Sequence, residues 1–158
     1  MILTLLLILL AANGAPVLLR SLIGRRGASP VDGGRLAWDG RPWLGASKTW
    51  RGLLAGILLA AVVAWLLGPG ALFGAVLGGL AMAGDLFSSF VKRRLGKASS
   101  DRVTGLDQIP ESLLPALAAG VWLALAVWQV LAVVLLFMLA DMVGSPLLYR
   151  LGLRRHPH

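Results

Sequence analysis

Long apolar runs alternate with short polar loops along this chain, on a scale set by the thickness of a bilayer and not by a single helical turn. Residues 2–23 form the first run, interrupted only by Asn13-Gly14-Ala15-Pro16. Proline lacks a backbone donor and restricts the residue before it, so a helix is expected to bend or pause there. A second run, 52–67, is short for the hydrocarbon core and needs help from its flanks. The uncharged turn Gly68-Pro69-Gly70 leads to a third run, 71–91. The last apolar stretch is roughly 40 residues long, and as one helix it would reach ~60 Å, twice the core thickness. Two helices, 110–127 and 129–151, with a turn near Trp128-Gln129, are therefore predicted. The pattern predicts an all-α integral membrane protein: one domain over 1–158, five transmembrane helices, and two basic loops at 24–51 and 92–109.

Composition agrees with that reading and adds an orientation. Hydrophobic residues make up 58% of the 158, charged ones only 14%, and mean hydropathy is +0.81, which excludes an ordinary soluble domain. The net charge of +8 points to anionic head groups or phosphorylated substrates. No nucleic-acid partner is expected, because the basic residues sit in short loops beside the spans. The first residues lack the charged start of a secretory signal, and the first cation is Arg20, so the first span is expected to be retained. Six basic residues (Arg25, Arg26, Arg35, Arg41, Lys48, Arg51) lie in the first loop, five (Lys92, Arg93, Arg94, Lys97, Arg102) in the second, and three (Arg150, Arg154, Arg155) in the tail. The turns near Gly68 and Trp128 have none, which places both loops in the cytoplasm and the N-terminus outside. Trp43 and Trp50 are of the type that settles at a membrane interface. Gly52/Gly56 and Gly74/Gly78 are spaced for close helix packing.

Within the third span one carboxylate stands out. Asp85 follows about fourteen apolar or small residues, and an ionisable group at such a depth marks a functional site. Asp85, Ser88, Ser89 and Lys92 are spaced i, i+3, i+4, i+7, so they share one helix face. At ~1.5 Å per residue Asp85 lies ~21 Å down the span, near the inner third of the bilayer. Lys48 and Asp107 reach the same boundary from the two loops, which predicts a pocket open to the cytoplasm. Carboxylates facing lysine and arginine suit phosphoryl or nucleotidyl chemistry with a hard divalent cation such as Mg²⁺. The only histidines, His156 and His158, lie in the tail and there is no cysteine, so zinc sites, thiol nucleophiles and a Ser-His-Asp triad have no basis. Neither a P-loop nor a dinucleotide fingerprint occurs. Pro110 and Glu111 read as the first turn of a helix. Asn13 reads either as a satisfied amide at the kink or as an amide turned toward a site, and Asp141 either lines the bundle or pairs with a cation.

Several ordered motifs resemble the CDP-archaeol synthases, small relatives of the CDP-diacylglycerol synthases. They are Asn13-x-x-Pro16, Pro30-Val31-Asp32-Gly33, Asp39-Gly40-Arg41, Leu44-Gly45-x-x-Lys48-Thr49-Trp50-Arg51-Gly52, Gly84-Asp85-Leu86-x-x-Ser89-Phe90-x-Lys92-Arg93-Arg94-x-Gly96, and Asp107-Gln108. The resemblance covers roughly residues 13–113. It implies Mg²⁺-dependent transfer of a cytidylyl group from CTP to a membrane lipid phosphate, of the archaeol type or another isoprenoid or acyl glycerol phosphate, releasing pyrophosphate. Asp85 and Asp107 would hold the metal. Lys48, Lys92 and Arg93 would bind the phosphates, with Lys92 counted beside the two aspartates as catalytic. Ser89 and Thr49 would donate to phosphate oxygens, and Asn13, Asp32 and Gln108 would line the pocket. One departure stands out: the family pattern continues Asp-Gln-x-Asp, but Pro110 occupies the second acidic place with Glu111 beside it. Glu111 either replaces that ligand or caps the fourth span. The alternatives are a CTP-dependent lipid kinase and a non-catalytic transporter or anionic-lipid-binding protein. The sequence leaves oligomeric state open, a homodimer among the states it admits.

Overall fold

The computed structural model describes residues 1–150 except 25, 99, 100, 102 and 104, and for 145–150 only the backbone. The expected basic residues Arg25, Arg102, Arg154 and Arg155, and both histidines, lie outside the described residues. Five helices follow one another: α1 (Ile2–Ile23), α2 (Trp50–Leu67), α3 (Ala71–Arg94), α4 (Gln108–Trp122) and α5 (Val127–Arg150). Four of them, all but α4, are long and apolar enough to cross a membrane. At 15 residues α4 reaches only ~22 Å, short of the ~30 Å hydrocarbon core.

The helices depart from the sequence reading at several points, and local contacts account for the clearest of them. Of the bend or pause expected at Asn13–Pro16 there is no pause: helix α1 runs through Pro16 as one element. Asn13 Nδ2 donates to the carbonyl of Leu9 one turn back, so its amide is satisfied within its own helix. Helix α2 starts two residues early, because Thr49 caps it: its Oγ1 accepts from the Gly52 amide at 3.3 Å. The α4–α5 turn occupies 123–126, not Trp128-Gln129. Gln129, polar and therefore taken as turn, is the third residue of α5, and its Oε1 accepts from the Ala126 amide. That is one half of a capping box, a reason for a polar residue to sit inside a helix start.

The bundle is small-side-in and large-side-out, as lipid-immersed helices require. Along α2 the buried stripe is Gly52, Gly56, Ala60 and Ala64, while Leu54, Leu58, Val62, Trp65 and Leu66 are exposed. With lipid as apolar as leucine, association relies on close backbone approach. Gly74 shows how close: a Cβ there would run into the carbonyl oxygen of Ala60 on α2. Helix α1 touches all four others and α3 lies between α2 and α4, whereas α3 and α5 make no direct contact among the described residues. Leu5, Ile8, Leu9, Leu77, Val133 and Phe137 fill the apolar middle.

The two long loops meet at one end of the bundle. Pro30 pairs with Thr49 and Leu36 with Pro42, folding residues 29–50 into two small antiparallel turns. The inner turn is tied to the end of α3: the Arg94 guanidinium reaches Asp39 at 2.5 Å and the Pro42 carbonyl at 2.6 Å. Arg41 in return donates to the carbonyl of Arg94, a cation on the negative end of the helix. Trp43 stacks on Phe90 beside them and Trp38 meets both rings edge-on, with Arg94 over the rings of Trp38 and Phe90. Trp43 thus packs on α3, while Trp50 is exposed.

Candidate active site

Lys48 and Asp85 form the centre of the polar end. Lys48 Nζ lies 2.5 Å from both carboxylate oxygens of Asp85, joining the foot of α2 to the third span. Each side chain keeps 21% of its surface accessible, so the pair is not sealed in the core. Burial works against the charge on Lys48, but Asp85, Glu111 and Asp107 more than offset it and hold the ammonium above the usual lysine range. Glu111 comes from the first turn of α4, and its carboxyl lies within hydrogen-bonding reach of that of Asp85. The approach depends on Gly84. A Cβ at that position would strike the carbonyl of Pro110 and sit 2.7 Å from the amide of Glu111. The Gly-Asp pair therefore does two jobs: the glycine admits the backbone of α4, and the aspartate meets what α4 brings.

Asp107 forms the second half of the cluster. Its Oδ1 lies 2.8 Å from Lys92 Nζ, and its Oδ2 accepts from the Val103 amide at 3.2 Å. Lys92 also donates to the carbonyl of Asp101. Asp107 acts on the charge of Lys48, and Lys92 on that of Asp85, so the two ion pairs belong to one electrostatic unit. Ser88, Ser89, Lys92 and Arg93 are buried, placing the polar face read from the i, i+3, i+4, i+7 spacing inward. Ser88 Oγ donates to the carbonyl of Asp85.

Other residues expected to meet substrate serve the scaffold in this structure. Arg93 spends its guanidinium on the carbonyls of Lys97 and Ala98, closing the turn after α3. Gln108 is buried and engaged at both ends of its amide, with Asp141 and with the Gly105 amide. Thr49 is the α2 cap and Asn13 bonds its own helix. Asp32 accepts from the amides of Gly34, Leu44 and Gly45 at 2.8–3.0 Å, pinning the loop that delivers Lys48. Partial burial opposes the Asp32 charge, but the Gly45, Leu44 and Gly34 amides prevail and hold the carboxyl below the ordinary carboxylate range. A depressed folded-state pKa means the anchor is complete above the unfolded value of ~3.9 and is lost as pH falls through the folded one. Asp32→Ala is expected to loosen this loop by about 1–3 kcal/mol, the cost of stranding donors that had a charged acceptor. Hydrogen exchange would show it as lost protection at Leu44 and Gly45, with the helices unchanged.

Of the two roles the sequence leaves open for Glu111, replacing the missing acid or capping the fourth span, its carboxyl is set beside Asp85, while Asp39, Arg41 and Arg94, present in the motifs, tie the first loop to α3. A signal existed for Glu111: it stands four residues after Asp107, on the same face of a helix. Among the described residues no three carboxylates or imidazoles converge as a ready-made metal cage. The donors are all oxygens, and Asp85 and Glu111 already touch. That suits a hard cation that takes one or two carboxylates and completes its shell from substrate phosphates.

A bundle of helices long enough to cross a membrane, with paired acids and lysines at one polar end, fits an intramembrane enzyme acting on phosphorylated substrates. Comparison with known proteins gives the family: the chain belongs to the CarS-like CDP-archaeol synthases, matched over residues 1–158. It is 42% identical over 120 residues to the CDP-archaeol synthase of Hyperthermus butylicus, covering 70% of this chain and 68% of that one. With that of Sulfurisphaera tokodaii it shares 31% identity over 154 residues, covering 94% and 89%. A solved structure, described as an intramembrane enzyme for archaeal membrane lipids biosynthesis, superposes with a TM-score of 0.74 at 31% identity, covering 90% of this chain and 91% of that one. The protein is thus a membrane-embedded cytidylyltransferase of lipid biosynthesis, not a transporter or scaffold.

Proposed function

We propose that the protein transfers the cytidylyl group of CTP to an archaeol-type, or other isoprenoid or acyl, glycerol phosphate, giving a CDP-lipid and pyrophosphate with Mg²⁺. The observation that carries this reading is the two-oxygen grip of the partly accessible Lys48 on Asp85 beside Glu111, where loop and membrane helices meet. The N-terminus lies outside and the site faces the cytoplasm, where CTP is. The fifth crossing is completed by α4 together with the turns at its two ends.

Asp85 and Asp107 would hold the metal, with Glu111 beside Asp85 as a further oxygen donor. Bound Mg²⁺ would spread the charge that develops on the α-phosphoryl group and its leaving pyrophosphate. Lys48 and Lys92 neutralise the acids while the site is empty of substrate. Both ammonium groups are placed to turn to arriving phosphates, which would leave the carboxylates to hold the cation. An oxygen of the lipid phosphate then attacks the α-phosphorus in line, with Ser89 donating to a phosphate oxygen. Arg93, Thr49, Asp32, Gln108 and Asn13 shape the pocket that holds these groups. Positioning and charge suffice, and no covalent intermediate is required.

The test offers purified protein and Mg²⁺ each of four nucleoside triphosphates against archaeal-type and diacyl lipid phosphates. Pyrophosphate release with CTP and an archaeal-type acceptor is expected. CDP as the small product would mean γ-phosphoryl transfer, the lipid-kinase alternative.

A further inference from the structure

Asp141 is the one acid of α5, and nothing in the reaction as outlined uses it. It stands fourteen residues from the start of its helix at Val127, and Asp85 stands fourteen from the start of α3 at Ala71. The two helices run the same way, so both acids lie ~21 Å along, at one level. Yet α3 and α5 make no direct contact among the described residues, and the first turn of α4 reaches both. On one side of that turn Glu111 meets Asp85. On the other, Gln108 Nε2 donates to Asp141 Oδ2 at 2.9 Å. Gln108 Oε1 accepts from the Gly105 amide at 2.8 Å, and its backbone carbonyl accepts from Ser112 Oγ at 2.7 Å. Gln108 is 1% exposed, so this is a buried strut with each amide end used. Asp141 also lies close enough to Glu111 for its charge to be felt there.

We infer that Asp141 is a positioning residue of this site: through Gln108 it fixes the first turn of α4, and so the placement of Asp107 and Glu111 against α3. A buried amide has one donor end and one acceptor end, and Asp141 determines which way Gln108 faces. With Asp141 in place, Oε1 is left to close the 105–108 turn that carries Asp107. Without it, the amide is free to rotate and Asp107 loses its fixed register. The inference deepens the proposed reaction and rests on it, since it assigns a role in placing the acids that reaction needs.

The experiment uses the full chain in detergent. Asp141→Leu is expected to lower kcat for CDP-lipid formation about 10- to 100-fold, the usual effect of removing a group that orients metal-binding residues. KM for CTP should stay within roughly twofold, since ground-state binding is not what is lost. Asp141→Asn keeps an acceptor oxygen for Gln108 and should recover most of the rate. Gln108→Glu sets two carboxylates against each other and should lower both rate and melting temperature. Adding Asp141→Asn to Gln108→Glu exchanges donor and acceptor across the same pair and should restore both. Because melting is read without turnover, the exchange also decides the matter if the wild type makes no CDP-lipid, a result that would refute the reaction and not the strut. The inference is overturned if Asp141→Leu turns over like wild type, if Asp141→Asn is as poor as Asp141→Leu, or if the double variant is no better than Gln108→Glu.

Discussion

Asp85→Asn is expected to cut CDP-lipid formation on the order of 10³-fold, with the protein still folded. The magnitude follows from what the side chain does. It is the only ionisable group in the middle of α3, it takes both contacts from Lys48, and it meets Glu111. Asparagine keeps the shape but offers one neutral oxygen where the proposed cation would need charge. Loss of one preorganised electrostatic partner typically costs ~10²–10³ in rate. Here the change also leaves Lys48 without its main counter-charge, so the upper end is expected. Stability should suffer less than for a sealed ion pair, because the pair is partly accessible and Glu111 can take over Lys48. Asp107→Asn should act in the same direction through Lys92. Radiolabelled CTP incorporation, with a thermal melt to verify folding, reads both effects. Turnover by Asp85→Asn within tenfold of wild type would remove the metal-site assignment.

How much of this could be read from the chain depended on range. The helices and their rough ends follow from apolar runs of bilayer length, and the inward face of α3 from spacing within one helix. The motif order fixed the family. What the chain concealed was whatever depends on two elements meeting. Arg93 and Thr49 have the right chemistry for phosphate, but local backbone groups claim them first: the carbonyls of Lys97 and Ala98, and the amide of Gly52. A sequence shows that a side chain can donate or accept, not which partner is nearest. Trp128-Gln129 was misread for a related reason, since a polar residue in an apolar stretch looks like a turn whether it sits in the turn or caps the helix after it. Pro110 in place of the family's acid raised the question of Glu111 without answering it. The structure sets the Glu111 carboxyl against Asp85 across a contact that only a glycine on α3 permits.

That contact yields the other large effect. Gly84→Ala adds a single methyl group, yet the atoms it would meet are the backbone of Pro110 and the amide of Glu111, which no side-chain rotation can clear. Helix α4 must withdraw, or α3 must turn. Alanine gains about 1 kcal/mol of helix propensity over glycine. Forcing an extra methyl into a packed contact costs about 1–3 kcal/mol, and a backbone obstacle puts this case at the high end. The net result should be a lower melting temperature. The loss of rate should be larger than stability alone explains, because the withdrawal carries Glu111 away from Asp85 and shifts Asp107 with it. Gly74→Ala separates the two consequences. Its methyl would strike the Ala60 carbonyl on α2, a comparable obstacle in the apolar part of the bundle, ten residues along α3 from Gly84. Gly74→Ala should therefore melt early and still turn over at near the wild-type rate below its transition. Gly84→Ala should melt early and lose at least about 10²-fold in kcat at the same temperature, as expected when preorganised groups are misplaced. Equal residual rates in the two variants would mean that the approach of α4 to α3 serves packing alone.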